Sequence, residues 1–138
     1  MFYSFDNSMV MIGLLNLYKI TKKSNILRLV EIMTQVLVER FFDGEKLIPR
    51  LDSSFKSIIP TGDRGIVKWS TIPGAYHCKL SIRLLGLSRL TRNNEYVRVS
   101  DSICEYAKKM QKYSGEFTTN PGSEIVYTYT HIFMLVKV

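Results

Sequence analysis

The chain has little from which common catalytic or membrane machinery could be built. The longest apolar run near its start, Met9 to Leu15, falls far below the ~20 residues a bilayer-spanning helix needs. The opening MFYSFDNS has no basic segment and places Asp6 where the apolar core of a secretion signal would form. A soluble, cytoplasmic protein is the expectation. Cysteine is scarce: Cys78 and Cys104 form neither a CxxC pair nor a Cys/His cluster, so a zinc site, or any metal or cofactor, is not expected. Two buried, reduced thiols are the plainer reading of this pair, and a bridge between them would have to be shown by geometry. There is no phosphate-binding glycine loop, because Pro60-Thr61-Gly62-Asp63-Arg64-Gly65 lacks the Gly-Lys-Ser/Thr ending. No serine or cysteine sits in a triad context, and no motif pairs any two of Asp6, Asp63, Glu116 and Glu124 as glycoside hydrolysis would require. Acidic residues are also outnumbered, 12 against 19 Lys and Arg, for a net charge of +7. The basic residues are dispersed, with only short pairs such as Lys22-Lys23 and Lys108-Lys109, and no aromatics interleave them. That distribution describes a solvated surface and argues against nucleic acid.

What the chain does have is helical periodicity. With 138 residues and 46% hydrophobic against 22% charged content, it suits one globular domain with a sizeable core. Asp6-Asn7-Ser8 offers N-cap oxygens for a helix carrying Met9, Val10, Met11, Ile12, Leu14, Leu15, Leu17 and Ile20, apolar nearly all round. Such a helix expects neighbours on several sides. After the polar turn Thr21 to Asn25, an amphipathic helix from about Ile26 to Phe42 follows, suited to an outer position. From Gly74 to Gln111 the plan recurs. A helix apolar on most sides (Leu80, Ile82, Leu84, Leu85, Leu87, Leu90) leads through a turn at Thr91 to Asn94 into a helix striped with Tyr96, Val99, Ile103, Tyr106, Ala107 and Met110.

The two hairpins align without a gap from Ile12–Thr21 to Ile82–Thr91, at an offset of 70. Asp43-Gly44-Glu45 then matches Ser114-Gly115-Glu116 one residue later. This is an internal repeat whose copies must stack to bury their faces. The organisation expected is hairpin 1 over about 7–42, a long connection 43–73, hairpin 2 over about 74–112, a connection 113–126, and the start of a third hairpin at 127–138. The C-terminus reads as the incomplete end of a repeat array. The longer connection has room for a short β-hairpin, with weak strand signals at Ser53 to Ile59 and Gly65 to Trp69.

In antiparallel hairpins the short turns share one end, while the long connections and the inner-helix N-termini share the other. Loops on a rigid scaffold and free helix N–H groups make that second end the one to suspect. Asp6, Asn7, Trp69, Tyr76, His77, Tyr129 and His131 are the candidate substrate-binding residues there. For His77 and His131 the plainer alternative is local hydrogen bonding at a helix start, and for Trp69 a packed loop anchor. No catalytic residue can be assigned.

The segments FDNSMVMIGLLNLYKIT, PGAYHCKLSIRLLGLSRLT and MQKYSGEF carry a resemblance to the α/α-toroid proteins. That superfamily includes six-hairpin glycosidases, unsaturated-uronyl hydrolases, N-acylsugar 2-epimerases and polysaccharide-biosynthesis proteins. The resemblance implies an all-α fold of antiparallel helical hairpins forming part of an (α/α) toroid, with a carbohydrate-binding cleft at one end. A closed ring would need about twice as many hairpins as are present. Two other readings follow from the residues: a non-catalytic helical-repeat interaction module, and a chain that self-associates or meets a second chain through the apolar segment Ile132 to Val136.

Overall fold

The computed structural model describes residues 1–58 and 71–118. Four helices form two antiparallel hairpins: α1 (Ser4–Thr21) with α2 (Ser24–Phe41), and α3 (Cys78–Thr91) with α4 (Glu95–Lys108). A 3-10 turn, Ala75–His77, leads into α3. A two-stranded antiparallel sheet, β1 (Phe2–Tyr3) against β2 (Arg50–Leu51), completes an otherwise all-α fold.

Each helix exists because one side of it can be buried. The stripe on α4 is buried along its whole length, from Tyr96 through Val99 and Ile103 to Tyr106 and Ala107, with Met110 just beyond the helix. Helix α3 meets it closely because small residues face each other. Ser81 and Ser100 each donate a hydroxyl hydrogen bond to the other's carbonyl at 3.2 Å. Between the hairpins lies one core, in which Met11, Leu15, Val30, Leu37, Phe41, Leu80, Leu84 and Leu87 are buried. Each such leucine or valine contributes about 1.5–3 kcal/mol by leaving water. The inner helices α1 and α3 touch directly. Leu15 Cδ2 lies 4.0 Å from where a Cβ on Gly86 would stand, and Arg83 Nη1 reaches Asn16 Oδ1 at 3.5 Å.

The repeat is visible in backbone detail. Both inner helices end on a left-handed residue, Lys22 (φ 55°) and Arg92 (φ 58°). In both, the last-turn threonine returns its hydroxyl to the carbonyl four residues back, Thr21 to Leu17 at 2.9 Å and Thr91 to Leu87 at 3.0 Å. Both outer helices lead into a small turn closed by an antiparallel bridge, Phe42 with Leu47 and Gln111 with Phe117. Gly44 (φ 103°) and Gly115 (φ 88°) supply the positive φ these turns need. In the first turn Asp43 Oδ1 accepts the backbone N–H groups of Glu45 and Lys46 at 3.0 and 2.9 Å. Burial pushes Asp43 up, but those bonds and the Lys46 ammonium outweigh it and hold the carboxyl below its ordinary range.

Three expectations need correction. Helix α1 begins at Ser4, not after an Asp6-Asn7-Ser8 cap. Asn7 Nδ2 instead bonds back to the Tyr3 carbonyl at 2.7 Å, and Ser8 Oγ to the Ser4 carbonyl at 2.6 Å; both side chains support a helix already under way. The sheet is not internal to the long connection, because Phe2–Tyr3 supplies its second strand. Of the expected strand at 53–59, Ser57 alone among the described residues bridges, to Leu51; residue 59 and the strand expected at 65–69 lie outside the described residues. Finally, α1 buries one side only. Met11 and Leu15 face inward, while Met9, Val10, Leu17 and Ile20 are exposed.

Candidate functional site

The N-termini of α1 and α3 meet at one end, where the described part of the first long connection reaches them through Pro49. Ser4 is the junction there. Its N–H donates to the Pro49 carbonyl at 2.9 Å, and its Oγ lies 3.0 Å from His77 Nε2 and 3.2 Å from that same carbonyl. The two hairpins and the connection between them are thus tied at one residue. Ser4 carries no periodic or motif signal, so pattern reading misses it.

His77 and Tyr76 come together with this junction but not on an open surface; they are 3% and 6% exposed. Burial pushes the His77 imidazole down to about 3, with a hydrogen bond to the Gly74 carbonyl pulling the other way. The ring is therefore neutral at pH 7. A neutral ring has one N–H, and the tautomer sets which of Ser4 Oγ and His77 Nε2 donates across their 3.0 Å contact. The pair has the atoms of a serine–histidine couple, but Ser4 is fully buried, and a base this weak has little drive to take a proton near neutrality. Its role is to join elements. Tyr76 packs edge-on to Phe5 (centroids 5.4 Å) and against the His77 ring (4.1 Å), and donates its hydroxyl to the Ile72 carbonyl at 2.8 Å.

Asp6 is exposed on the first turn of α1. Asn7 lines an apolar groove of about 250 Å³ with Phe2, Val36, Phe41 and Phe55. Phe2 and Phe55 stack with centroids 5.2 Å apart and planes 2° from parallel, and the Arg40 guanidinium lies 5.4 Å from the Phe55 ring centre. Both rings are exposed, at 42% and 46%. Phe55 also has φ 59°, a conformation disfavoured for a bulky side chain. The Asp52 turn imposes it: Asp52 Oδ1 accepts from Ser54 N at 2.7 Å and Lys56 N at 3.0 Å. The cost of holding an exposed aromatic this way is of order 1–3 kcal/mol, and such strain clusters at ligand sites. Neither phenylalanine was signalled by the sequence pattern. Trp69, Tyr129 and His131, with Asp63 and Glu124, lie outside the described residues.

A larger groove of about 560 Å³ runs along the outer side of α4 beside Gly44, lined by Glu45, Arg98, Asp101, Glu105 and Lys109. Its charges are largely paired: Glu45 with Lys109, and Glu45 with Lys46 at 3.7 Å. Among the described residues no group of His, Cys, Asp and Glu could hold a metal, and no helix is long and apolar enough to cross a membrane. Cys78 and Cys104 are free thiols; burial, and then the neighbouring Cys104, push the Cys78 thiol up to about 12. The buried Arg50 Nε has no hydrogen-bond partner among the described residues, and nothing in the structure explains it. No family model, no curated protein and no solved structure matches this chain.

Proposed function

We propose that this chain is a partial α/α-toroid array of helical hairpins that binds carbohydrate at its loop end, at the groove beside the N-terminus of α1. The observation that carries the reading is the exposed, parallel Phe2–Phe55 pair bordering that groove. Flat aromatic faces take the C–H faces of a pyranose, and Asn7, which lines the groove, is placed to supply a polar contact. The backbone strain at Phe55 supports a role for that ring beyond packing. Among the described residues no general acid and base are assembled at this groove, and the reading is one of binding.

The test is titration of the chain with neutral and acidic oligosaccharides, followed by backbone amide shift mapping. Shifts should concentrate at Phe2, Asn7 and Phe55, and Phe55→Ala should weaken binding at least tenfold. Silence toward every class of oligosaccharide, or binding unchanged in Phe55→Ala, would overturn the proposal.

A further inference from the structure

The repeat register allows each inner-helix position in one hairpin to be compared with its counterpart in the other. Leu80 and Leu87 on α3 are 1% exposed, enclosed where α3 meets hairpin 1, whereas their counterparts on α1, Val10 and Leu17, are 54% and 45% exposed. The outer helices behave alike: Val99 is 0% exposed and its counterpart Leu29 is 45% exposed. The opposite asymmetry marks the other side of the inner helices. Leu15, turned toward hairpin 2, is 2% exposed, while its counterpart Leu85 is 37% exposed and Ile82 beside it 45% exposed.

Each open face is therefore the repeat equivalent of one half of a junction that the molecule already makes. The face of α1 bearing Val10 and Leu17 corresponds to the side of α3 that receives hairpin 1. The face of α3 bearing Ile82 and Leu85 corresponds to the side of α1 that receives hairpin 2. Because the two faces point away from each other across the array, one chain cannot bring them together.

We infer that a second copy of this chain is the occupant, docked head to tail, with Ile82 and Leu85 of one copy seated against Val10, Leu17 and Leu29 of the next. Arg83 meets Asn16 across the internal junction at 3.5 Å, and on the open α1 face the repeat counterpart of Arg83 is Gly13, where a Cβ would meet nothing within 4 Å. A contact between two different faces is heterologous, so it propagates or closes into a ring and does not stop at a two-fold dimer. Stacking of this kind is how helical repeats bury surfaces that a single repeat leaves open. The inference concerns the flanks of the hairpins and does not rest on carbohydrate binding.

The experiment is sedimentation velocity with light scattering over a hundredfold concentration range, on the whole chain and on two variants. Leu17→Glu blocks the α1 face and Leu85→Glu blocks the α3 face; both positions are exposed, and far-UV circular dichroism checks the fold, with Val10→Glu and Ile82→Glu as alternates. The native chain should rise above one chain mass with concentration. Each variant alone should stay at one chain mass, and their equimolar mixture should form species of two chain masses and no larger, since one intact face remains on each. A native chain at one mass throughout would overturn the inference. So would association surviving in Leu85→Glu alone, because that would make the contact α1 to α1. Loss of oligosaccharide binding with association intact would fault the carbohydrate reading and leave this one standing.

Discussion

Lowering the pH from 7.5 to 5.0 should remove about 2 kcal/mol of folding stability through His77 alone. Folding takes the ring out of water, between Ser4 Oγ and the Gly74 carbonyl, and moves its pKa from 6.5 to about 3. The folded value lies below the unfolded one, so the unfolded chain takes up the proton first. His77 therefore costs nothing above pH 6.5, and stability is lost as the pH falls from there toward 3. The loss approaches ~1.4 kcal/mol per pH unit, and pH 5.0 lies about 1.5 units below the unfolded midpoint. Asp43 is held below its ordinary range and stays ionised at pH 5.0. The assay is urea unfolding at both pH values for the native chain and for His77→Gln, which keeps a donor and an acceptor but does not titrate. The native chain should lose about 2 kcal/mol more than the variant between the two conditions. An equal loss in both would refute the buried, neutral imidazole.

Four further outcomes follow from the same geometry. Ser4→Ala strands His77 Nε2 and should cost about 1–3 kcal/mol in urea unfolding at pH 7.5, with Ser4→Thr retaining part of the loss. Gly44→Ala and Gly115→Ala meet no atom within 4 Å of the new Cβ, so each should cost only the backbone penalty of about 1–2 kcal/mol; a much larger loss would mean those turns pack more tightly than they do here. Leu84→Ala, fully buried between the hairpins, should cost about 2–5 kcal/mol in the same assay, whereas Ile20→Ala, at 83% exposure, should be near neutral. With its pKa raised to about 12, Cys78 is only about one part in ten thousand thiolate at pH 8. Peptide mapping after iodoacetamide treatment should find it unmodified in the native chain and alkylated in denaturant.

The helices were legible because burial here follows helical spacing closely. The α4 stripe from Tyr96 to Met110 is buried residue for residue, and the gapless alignment of Ile12–Thr21 with Ile82–Thr91 ends on two threonines that make matching bonds. Gly44 and Gly115, one residue out of register in sequence, mark equivalent turns. The helix start was misread because Asn7 and Ser8 have the side chains of caps, and only tertiary contact from Pro49 to Ser4 decides that they lie inside the helix. The strand Phe2–Tyr3 is too short to show alternation, and its partner is more than forty residues away. At the site, Tyr76 and His77 were expected at an exposed entrance; they do stand at the start of α3, but buried by Phe5 and Ser4. Among the described residues, the exposed aromatics lining the groove are Phe2 and Phe55, which meet because the β1–β2 pairing and the Asp52 turn bring them together. No spacing along the chain encodes that meeting.

The two copies of the hairpin dock through their inner helices and leave equivalent faces open on either flank. Methyl nuclear Overhauser spectroscopy tests it most directly, because Leu15 Cδ2 approaches the Cβ position of Gly86 to 4.0 Å. A strong cross-peak between the Leu15 δ-methyl and the Gly86 α-protons is the result expected, persisting in Leu17→Glu at concentrations where that variant is a single chain. Intact helices without that cross-peak would mean that the hairpins do not meet through α1 and α3, and the account of the repeat junction would be wrong.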